Sequence, residues 1–289
     1  MVKYVTRFAP SPTGYLHLGH AFSALTAFDA ARQNGGRFIL RIEDIDIGRC
    51  RPEFEQAIYD DLAWLGLSWE TPVRRQSDHF DDYSATLDSL IEKNIVYRCF
   101  KTRKEIAAEI ARAPHHSKDQ TIENSAQYVG APLPAPEEQS LLTEGHAFAW
   151  RLSMSRAEAF LGVAFQHLSF VEETEAGQQT INATPNIFGD VVIARKDFGT
   201  SYHLSSVFDD ALQNISHIIR GTDLYQSAHL HVLLQALFDY PTPTYQHHRL
   251  ITDEKGTRLA KRDKAATLRS LREQGMNAKK LRENLGFAW

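Results

Sequence analysis

The segment RFAPSPTGYLHLGH, residues 7–20, constrains the fold of this chain more than any other feature. A short apolar strand pattern, YVTRF, leads into it, and an apolar helix pattern, LGHAFSALTAFDAARQN, follows the proline- and glycine-containing bend. The helix pattern ends at Gly35-Gly36, and a second apolar strand pattern, RFILRIE, comes next. This strand–helix–strand order is typical of a parallel sheet with right-handed crossovers, so we predict an α/β, nucleotide-binding architecture.

The rest of the chain alternates between α/β and antiparallel patterns. PEFEQAIYDDLAWLG, which begins at Pro52, and FDDYSATLDSLIEKN predict two helices, whereas AFAWRLSM, FQHLSFVEE and DVVIARK predict antiparallel strands. HIIRGTDLYQSAHLHVLLQALFD predicts a strand followed by a helix, and ATLRSLREQG and NAKKLRENLG predict two short helices. Residues 113–140 are proline-rich and polar without an apolar period, so we expect a long loop or a weakly ordered insert there.

Composition narrows the class of protein. The 289 residues contain no apolar run of roughly 18 residues, which a membrane span needs, and MVKYVTRFAP lacks the apolar core of a signal peptide. Two cysteines, Cys50 and Cys99, do not make a disulfide framework, so we expect a cytoplasmic protein that does not bind membranes. The net charge of −4 is uneven, because residues 261–289 carry +5. That basic segment is either a solvated helix face or a surface for phosphates.

Two histidines stand where the first helix begins. The N–H groups and the dipole of a helix N-terminus attract anions, and Gly19 would let the backbone approach such a ligand. His17 and His20 are three residues apart, so both can face one ligand and donate to phosphate oxygens. A metal site and simple helix capping are the alternatives that this spacing leaves open.

Four blocks of the sequence resemble one enzyme family. HLGH is similar to the HIGH signature of class I aminoacyl-tRNA synthetases, and RFAPSPTGYLHLGH to its glutamyl- and glutaminyl-type version. RIEDIDIGR, GDVVIARKDFGTSYHLSSVFDDALQNISHIIRGTDL and RLAKR follow in the family's order. RLAKR, residues 258–262, resembles the KMSKS loop, which binds ATP phosphates in this class. The resemblance implies a Rossmann-type parallel-sheet catalytic domain with an inserted α+β subdomain and a short helical C-terminal end.

Domain limits follow from the position of these blocks. We expect the first half of the catalytic domain at 1–98, an inserted acceptor-type α+β subdomain at 99–190, the second half of the catalytic domain at 191–250, and the KMSKS-like loop with the C-terminal helices at 251–289. A full glutamyl-tRNA synthetase continues beyond this loop into a helical anticodon-binding domain, whereas only Asp263 to Trp289 follow here. This shortness resembles the glutamyl-queuosine tRNA(Asp) synthetases, which are essentially free-standing catalytic domains.

The resemblance assigns roles to individual residues. Those implied for ATP binding are His17, Gly19, His20, Arg258, Lys261 and Arg262, of which His17, His20 and Lys261 are the expected catalytic residues. Those implied for glutamate binding are Arg7, Ala9, Ser11, Glu43, Tyr202 and Arg220. Arginines suit the substrate carboxylates and a glutamate side chain suits its ammonium. Taken alone, the same residues would be interpreted as surface ion pairs and core packing. Asp44 and Asp46 are expected to support the strand or the next helix rather than to bind a ligand.

The sequence departs from the family pattern in two places. Cys99 matches the first cysteine of a zinc site that family members often carry, but Lys101 stands where the second thiol belongs, and Pro132 stands where the last one does if Tyr128 is the family tyrosine. His115 and His116 have no convincing partner spacing, so we expect no zinc. In the KMSKS-like loop, Arg258 and Ala260 replace a lysine and a serine, and we expect a working loop with altered ATP affinity.

Taken together, these features predict an ATP-dependent ligase. Glutamate would be activated with ATP and Mg²⁺ without tRNA, and then transferred to the queuosine base in the anticodon of tRNA(Asp) by a monomeric enzyme. One alternative is a short glutamyl-tRNA synthetase that charges the 3′ end of tRNA(Glu). The other is a non-catalytic paralogue that binds tRNA or glutamate, although such a protein would not need the ATP-binding residues.

Overall fold

The computed structural model describes residues 3–102, 104–107, 127–251 and 266–288. Its strands are β1 (Val5–Phe8), β2 (Arg37–Ile42), β3 (Arg74–Arg75), β4 (Val96–Cys99), β5 (Ala149–Leu152), β6 (Ser169–Thr174), β7 (Gly177–Asn182), β8 (Val191–Ala194), β9 (His217–Gly221) and β10 (Thr244–His248). Its helices are α1 (Leu18–Gln33), α2 (Pro52–Trp64), α3 (Phe80–Glu92), α4 (Ala135–Thr143), α5 (Met154–Leu161), α6 (Tyr202–Leu212), α7 (Tyr225–Phe238), α8 (Leu268–Glu273) and α9 (Ala278–Asn284). The predicted α/β fold class is confirmed.

A parallel sheet forms the centre of the fold. β1, β2 and β3 are parallel neighbours in that order, and β9 and β10 form a second parallel pair. β9 lies beside β1, where the Ser216 amide donates to the Val5 carbonyl at 3.1 Å. The strand order therefore reverses between β1 and β9, and the carboxyl ends of strands at such a reversal form the crevice in which α/β proteins bind ligands.

The remaining strands pair mainly antiparallel, in a separate sheet and beside β10. β4, β5 and β8 pair antiparallel. The sequence predicts β5 and β8 as antiparallel strands, but not β4. β6 pairs antiparallel with β7 and contacts β10 in parallel through Tyr245 and Glu172. β3, β4, β7 and β10 are not predicted from the sequence. GQQTIN in β7 is polar and mostly exposed, and TYQHH in β10 has little apolar content, so neither has the alternation that marks a strand.

Helix α1 packs closely on the sheet because small residues line its buried face. Ala21, Ala24, Ala27 and Ala31 are all buried there. Gly35, with a φ of 58°, follows the helix and turns the chain into β2, as the sequence predicts. Because β1 and β2 are parallel, α1 runs back between them, so its N-terminus with both histidines lies at the carboxyl end of β1.

The proline-rich segment 113–140 is partly helical. Its described part, 127–140, contains the start of α4, so the expectation of an irregular loop is wrong for residues 135–140. Proline is tolerated in the first turn of a helix, and Glu137 and Glu138 also favour that turn. Residues 113–126 lie outside the described residues, and the domain limits stay a prediction. Within the described ranges, no helix is long and apolar enough to cross a bilayer.

Candidate active site

The predicted glutamate-binding residues converge at the carboxyl ends of β1 and β9. A cavity of about 150 Å³ lies there, lined by Arg7, Phe8, Ala9, Ser23, Glu43, Tyr202, Ile219, Arg220, Gly221 and Leu224. Five of the six predicted residues are among these. Ser11 is not, and its Oγ instead lies 3.9 Å from Cys50 Sγ. The structure therefore brings residues that are 213 positions apart in the sequence to one cavity, and they carry charges of both signs.

A second cavity, of about 240 Å³, adjoins the first. His17, Gly19 and His20 line it, together with Asp223 and residues 248–251. Phe8, Ser23, Gly221 and Leu224 line both cavities. The two cavities are therefore adjacent and share part of their walls.

Both histidines cap helix α1 through the same ring atom. His17 Nδ1 accepts from the Gly19 amide at 3.1 Å, and His20 Nδ1 accepts from the His17 amide at 3.2 Å. A neutral imidazole that accepts at Nδ1 carries its hydrogen at Nε2. Capping and ligand binding are therefore compatible, because each cap orients an Nε2–H donor at the helix N-terminus.

Gly19 has a structural role in addition to the ATP-binding role predicted from the sequence. A Cβ at this position would lie 3.0 Å from His17 Cε1 and 3.1 Å from Nδ1. The absence of a side chain therefore lets the His17 ring fold back over the first turn and accept the Gly19 amide. Gly19 still lines the second cavity.

A buried carboxylate hub supports the first cavity. Asp210 Oδ1 accepts from Arg7 Nε at 3.1 Å and from Arg41 Nη1 at 2.8 Å, and Asp210 Oδ2 accepts from Arg7 Nη2 at 3.4 Å. Burial alone would raise the pKa of Asp210, but the two guanidinium groups outweigh it and lower that pKa. Arg7 therefore uses one edge of its guanidinium for Asp210, and its Nη1 is the end left for a ligand.

Arg41 connects this hub to Glu43. Its Nη2 donates to Glu43 Oε1 at 2.9 Å, and its Nη1 donates to Gln213 Oε1 at 2.8 Å as well as to Asp210. Although burial alone would lower the pKa of Arg41, the carboxylates of Asp210, Glu43 and Asp209 raise it. The pKa of Glu43 is raised by burial, and Arg41 opposes that shift. Arg41 thus holds the Glu43 carboxylate at the edge of the cavity.

Arg41, Asp209 and Asp210 are functional-site residues that are not among those predicted from the sequence. Asp209 is fully buried and accepts from Arg74 Nε, Gln76 Nε2 and the Tyr83 hydroxyl at 2.8 to 2.9 Å. The sequence does contain a sign of these buried charges, because Arg41 interrupts the apolar run RFILRI and two aspartates lie on the apolar face of α6. Charges in buried patterns need partners of opposite sign, so these groups should have been paired with each other.

Arg220 differs from the other arginines in its partners. It is 4% exposed, its Nε donates to His247 Nε2 at 3.2 Å, and its Nη1 lies 3.5 Å from His231 Nδ1. Its Nη2 has no hydrogen-bond partner among the described residues. Buried donors are nearly always paired, so an orphaned guanidinium nitrogen on a cavity wall indicates an anion site. Tyr202 lies on the same cavity, and burial raises the pKa of its hydroxyl.

The KMSKS-like loop lies outside the described residues, so Arg258, Lys261 and Arg262 keep only their sequence-based roles. Its flanks are described. Ile251 lines the second cavity, and Thr267 forms an isolated antiparallel bridge with His17. The described segments before and after the KMSKS-like loop therefore both lie beside the histidines.

Two other predicted regions have clear surroundings. Asp44 accepts from the Ser77 amide and hydroxyl at 2.8 and 2.6 Å, so it holds the segment after β3. Cys99 and Tyr128 belong to one small buried cluster, and Lys101 Nζ lies 5.8 Å from the Tyr128 ring centre. In the described part of the chain, no three His, Cys, Asp or Glu side chains could hold a metal together. The expected lack of zinc stays a prediction.

Comparison with known proteins places these features in a family. The family described as tRNA synthetases class I (E and Q), catalytic domain, matches residues 3–287. A Glutamyl-Q tRNA(Asp) synthetase of Rhodobacter capsulatus is 43% identical over 98% of this chain and 100% of its own length. A Glutamate–tRNA ligase of Aquifex aeolicus is 36% identical over 95% of this chain and 55% of its own length.

A solved structure extends the likeness to the fold. A glutamate tRNA ligase from Elizabethkingia meningosepticum, crystallised in complex with its amino acid, superposes with a TM-score of 0.76 at 28% identity. The match covers 98% of this chain and 60% of that one. The chain thus spans somewhat more than half the length of both glutamate–tRNA ligases.

Proposed function

This chain belongs to the glutamyl- and glutaminyl-type family of class I tRNA synthetases, and from that premise we propose that it activates L-glutamate with ATP and transfers it to queuosine in the anticodon of tRNA(Asp). The observation that carries the proposal is the pair of adjoining cavities. One is lined by Arg220, whose buried Nη2 has no hydrogen-bond partner among the described residues, and the other is lined by the two capping histidines.

Glutamate fits the first cavity by charge. Its two carboxylates would accept from Arg220 and from the Nη1 end of Arg7, and its ammonium would donate to Glu43. The Tyr202 hydroxyl would supply a further hydrogen bond. Ala9 has only a methyl group and leaves room for the substrate backbone, whereas Ser11 is proposed to act from outside the cavity wall.

ATP in the second cavity would place its α-phosphate at the shared wall. A substrate carboxylate oxygen attacks the α-phosphorus, the bond to the bridging oxygen breaks, and pyrophosphate leaves. His17 and His20 donate from Nε2–H to the phosphate oxygens on which charge develops. Gly19, Arg258, Lys261 and Arg262 are proposed to hold the phosphates, with Lys261 the donor most directly involved in catalysis. An acceptor hydroxyl then attacks the acyl carbon, and AMP leaves.

Mg²⁺ accompanies ATP in most phosphate-binding sites and neutralises phosphate charge there. It requires only one or two protein carboxylates, and Asp223 is a carboxylate that lines the second cavity. The residues present therefore fit a magnesium ion held mainly by the phosphates.

The names of the relatives support queuosine as the group that accepts glutamate. Three proteins named Glutamyl-Q tRNA(Asp) synthetase are 36 to 43% identical, and the match covers 82 to 100% of their lengths. Queuosine carries a cyclopentenediol whose hydroxyl pair resembles a terminal ribose, so the same adenylate can be attacked by either group. Queuosine in tRNA(Asp) is therefore the proposed partner of this chain.

The glutamate–tRNA ligases among the relatives favour one second candidate, which is charging of the 3′ end of tRNA(Glu). Labelled glutamate and ATP, incubated with the protein and either tRNA, separate the two. The proposal expects label in the anticodon stem-loop of queuosine-containing tRNA(Asp) and none in tRNA(Asp) without queuosine. Label at the 3′ end of tRNA(Glu) would establish the second candidate instead.

A further inference from the structure

Arg220 is held by a series of hydrogen-bonded imidazoles. Binding of a carboxylate by this arginine does not by itself require them. Its Nε donates to His247 Nε2 at 3.2 Å, and His247 Nδ1 lies 3.0 Å from Glu172 Oε2. On the other side, Arg220 Nη1 lies 3.5 Å from His231 Nδ1, and His231 Nε2 lies 3.1 Å from His203 Nδ1. These contacts involve β6, β10, α7 and α6 as well as β9, so four elements besides its own hold the guanidinium group of Arg220.

The contacts of His247 determine its tautomer. A guanidinium group can only donate, so His247 Nε2 must accept, and the ring hydrogen must lie on Nδ1. Nδ1 then donates to Glu172, which also accepts from the His247 amide at 3.0 Å. The side chains of His247 and Glu172 are 2% and 6% exposed, so water does not compete for these bonds. Glu172 therefore holds the imidazole in the one form that can accept from Arg220.

We infer that His247, oriented by Glu172, is a positioning residue for glutamate: it fixes Arg220 through an uncharged acceptor and leaves the full guanidinium charge for a substrate carboxylate. The inference rests on the proposed function. A carboxylate in the place of His247 would fix the arginine equally well but would neutralise much of its charge, as Asp210 does for Arg7. A neutral imidazole gives the geometry without that neutralisation.

The surroundings keep His247 neutral. Burial lowers its pKa, and the hydrogen bond to Glu172 and the neighbouring carboxylates only partly oppose this. Burial and Arg220 also lower the pKa of His231. The charged and titratable groups that face His247 are Arg220, Glu172, Asp223, Tyr225, His229, His231, Tyr245 and His248. Protonation of His247 would remove the acceptor at Nε2 and add a second cation beside Arg220.

Substitutions at His247 separate positioning from packing. His247→Phe keeps a planar ring without an acceptor, whereas His247→Gln restores an acceptor oxygen near the position of Nε2. Glutamate-dependent ATP–pyrophosphate exchange should show a KM for glutamate that rises tenfold to a hundredfold in His247→Phe and recovers most of that loss in His247→Gln. The KM for ATP and kcat should change by less than threefold in both variants.

His229 offers a matched control. It is a buried histidine on α7 whose Nδ1 accepts from the Thr184 amide at 3.0 Å, and its ring packs on Phe170 without contacting Arg220. His229→Phe should leave the KM for glutamate unchanged. An equal rise of this KM in His229→Phe and His247→Phe would overturn the inference, because it would show a general effect of packing.

The pH profile of the wild-type protein gives a second test, with the conservative variant His247→Gln as its comparison. The KM for glutamate of the wild-type protein should rise as the pH falls through the lowered pKa of His247, below about pH 6.5. In His247→Gln this rise should be much smaller. Identical profiles would contradict the inference while leaving the proposed function intact. Absence of any glutamate-dependent exchange in the wild-type protein would overturn the proposed function and the inference with it.

Discussion

Arg7 and Arg220 line the same cavity from neighbouring strands, but their partners differ in charge. Arg7 on β1 is bonded twice to the carboxylate of Asp210, which also binds Arg41. Arg220 on β9 contacts two imidazoles and the face of the Tyr245 ring, whose centre lies 5.3 Å from its Cζ. One side of the cavity therefore consists of charges that neutralise one another, and the other side retains a positive charge.

The different partners of Arg7 and Arg220 imply different contributions to fold stability and to ligand binding. A buried ion pair is costly to break because the remaining charge has no solvent, so the Asp210 hub is primarily a structural element. A buried cation held by neutral groups is itself costly, and a protein retains one where a ligand will supply the counter-charge. Substitutions on the two sides are therefore expected to differ in their effect on stability, although the loss of either arginine should weaken glutamate binding.

The largest expected effect lies in the hub. Asp210→Asn removes the charge that two buried arginines share, so the free energy of unfolding should fall by about 3–5 kcal/mol. Asp197→Asn, which breaks an exposed pair with Arg195, should cost less than about 1 kcal/mol. Denaturant titration of both variants measures this. Equal losses would mean that the hub is no more important for stability than a surface pair.

The pH dependence of this difference has a defined sign. Because the pKa of Asp210 is lowered in the folded state, its stabilisation is present above the unfolded pKa, near 3.9, and is lost as the pH falls through the folded pKa. The gap in unfolding free energy between wild type and Asp210→Asn should be constant from about pH 5 to 7 and should shrink below about pH 4. A gap that grows in acid would contradict the assignment.

A smaller loss is expected from a residue on neither side. Lys261→Ala removes a proposed donor to the phosphates and should lower kcat for ATP–pyrophosphate exchange by roughly 10²–10³. The KM for glutamate should not change, because Lys261 belongs to the ATP side of the reaction. Steady-state kinetics with each substrate varied in turn checks this. A raised KM for glutamate with unchanged kcat would place Lys261 in the amino-acid site instead.

The two arginines themselves give the next prediction. Arg220→Leu should raise the KM for glutamate by about 10–100-fold, while the free energy of unfolding stays within about 1 kcal/mol of wild type or increases. Arg7→Leu should raise that KM and also destabilise the fold, because Asp210 then keeps only Arg41. Exchange kinetics and denaturant titration of both variants make the comparison. Equal destabilisation by the two substitutions would remove the distinction between the two sides.

The smallest effect is expected at Asp61, a buried carboxylate outside the cavity that can be compared with Asp210. Asp61 is a buried carboxylate whose one ion pair in the described structure, with Arg272, spans 3.6 Å, and burial raises its pKa to about 6. The folded state therefore disfavours its charge, so stability is lost as the pH rises from about 4 to 6. Asp61→Asn should stabilise the protein by about 1 kcal/mol at pH 7 and by almost nothing at pH 4. Destabilisation at pH 7 would contradict this.

Local patterns predicted most of the fold and one part of the site. The apolar periodicity of α1, α2 and α3 predicted these helices, and Gly35 marked the end of α1, because these signals act over a few residues. β7 and β10 escaped prediction because their pairing partners, rather than their own polar sequences, stabilise them as strands. The resemblance, and not the periodicity, identified Arg7, Glu43, Tyr202 and Arg220 as one group.

The supporting network could not be read from the sequence in the same way. The Glu172–His247–Arg220 contacts join β6, β10 and β9, and β6 is far from the other two strands in the sequence. Nothing in the local sequence TYQHH indicates that His247 is a hydrogen-bond acceptor. Arg41 and Asp210 were foreseeable as buried charges, but their pairing depends on α6 packing beside β2. Long-range contacts of this kind become visible only once the strand order is known.

The central claim is that the glutamate cavity is already assembled, with Arg7 fixed by Asp210 and Arg220 by His247. An assembled cavity should not need RNA to complete it. The most direct measurement is ATP–pyrophosphate exchange by the purified protein with L-glutamate, L-glutamine or L-aspartate and no tRNA. The account predicts exchange with glutamate that is at least tenfold faster than with the other two amino acids. Strict dependence of the exchange on added tRNA, or equal rates with all three amino acids, would contradict it.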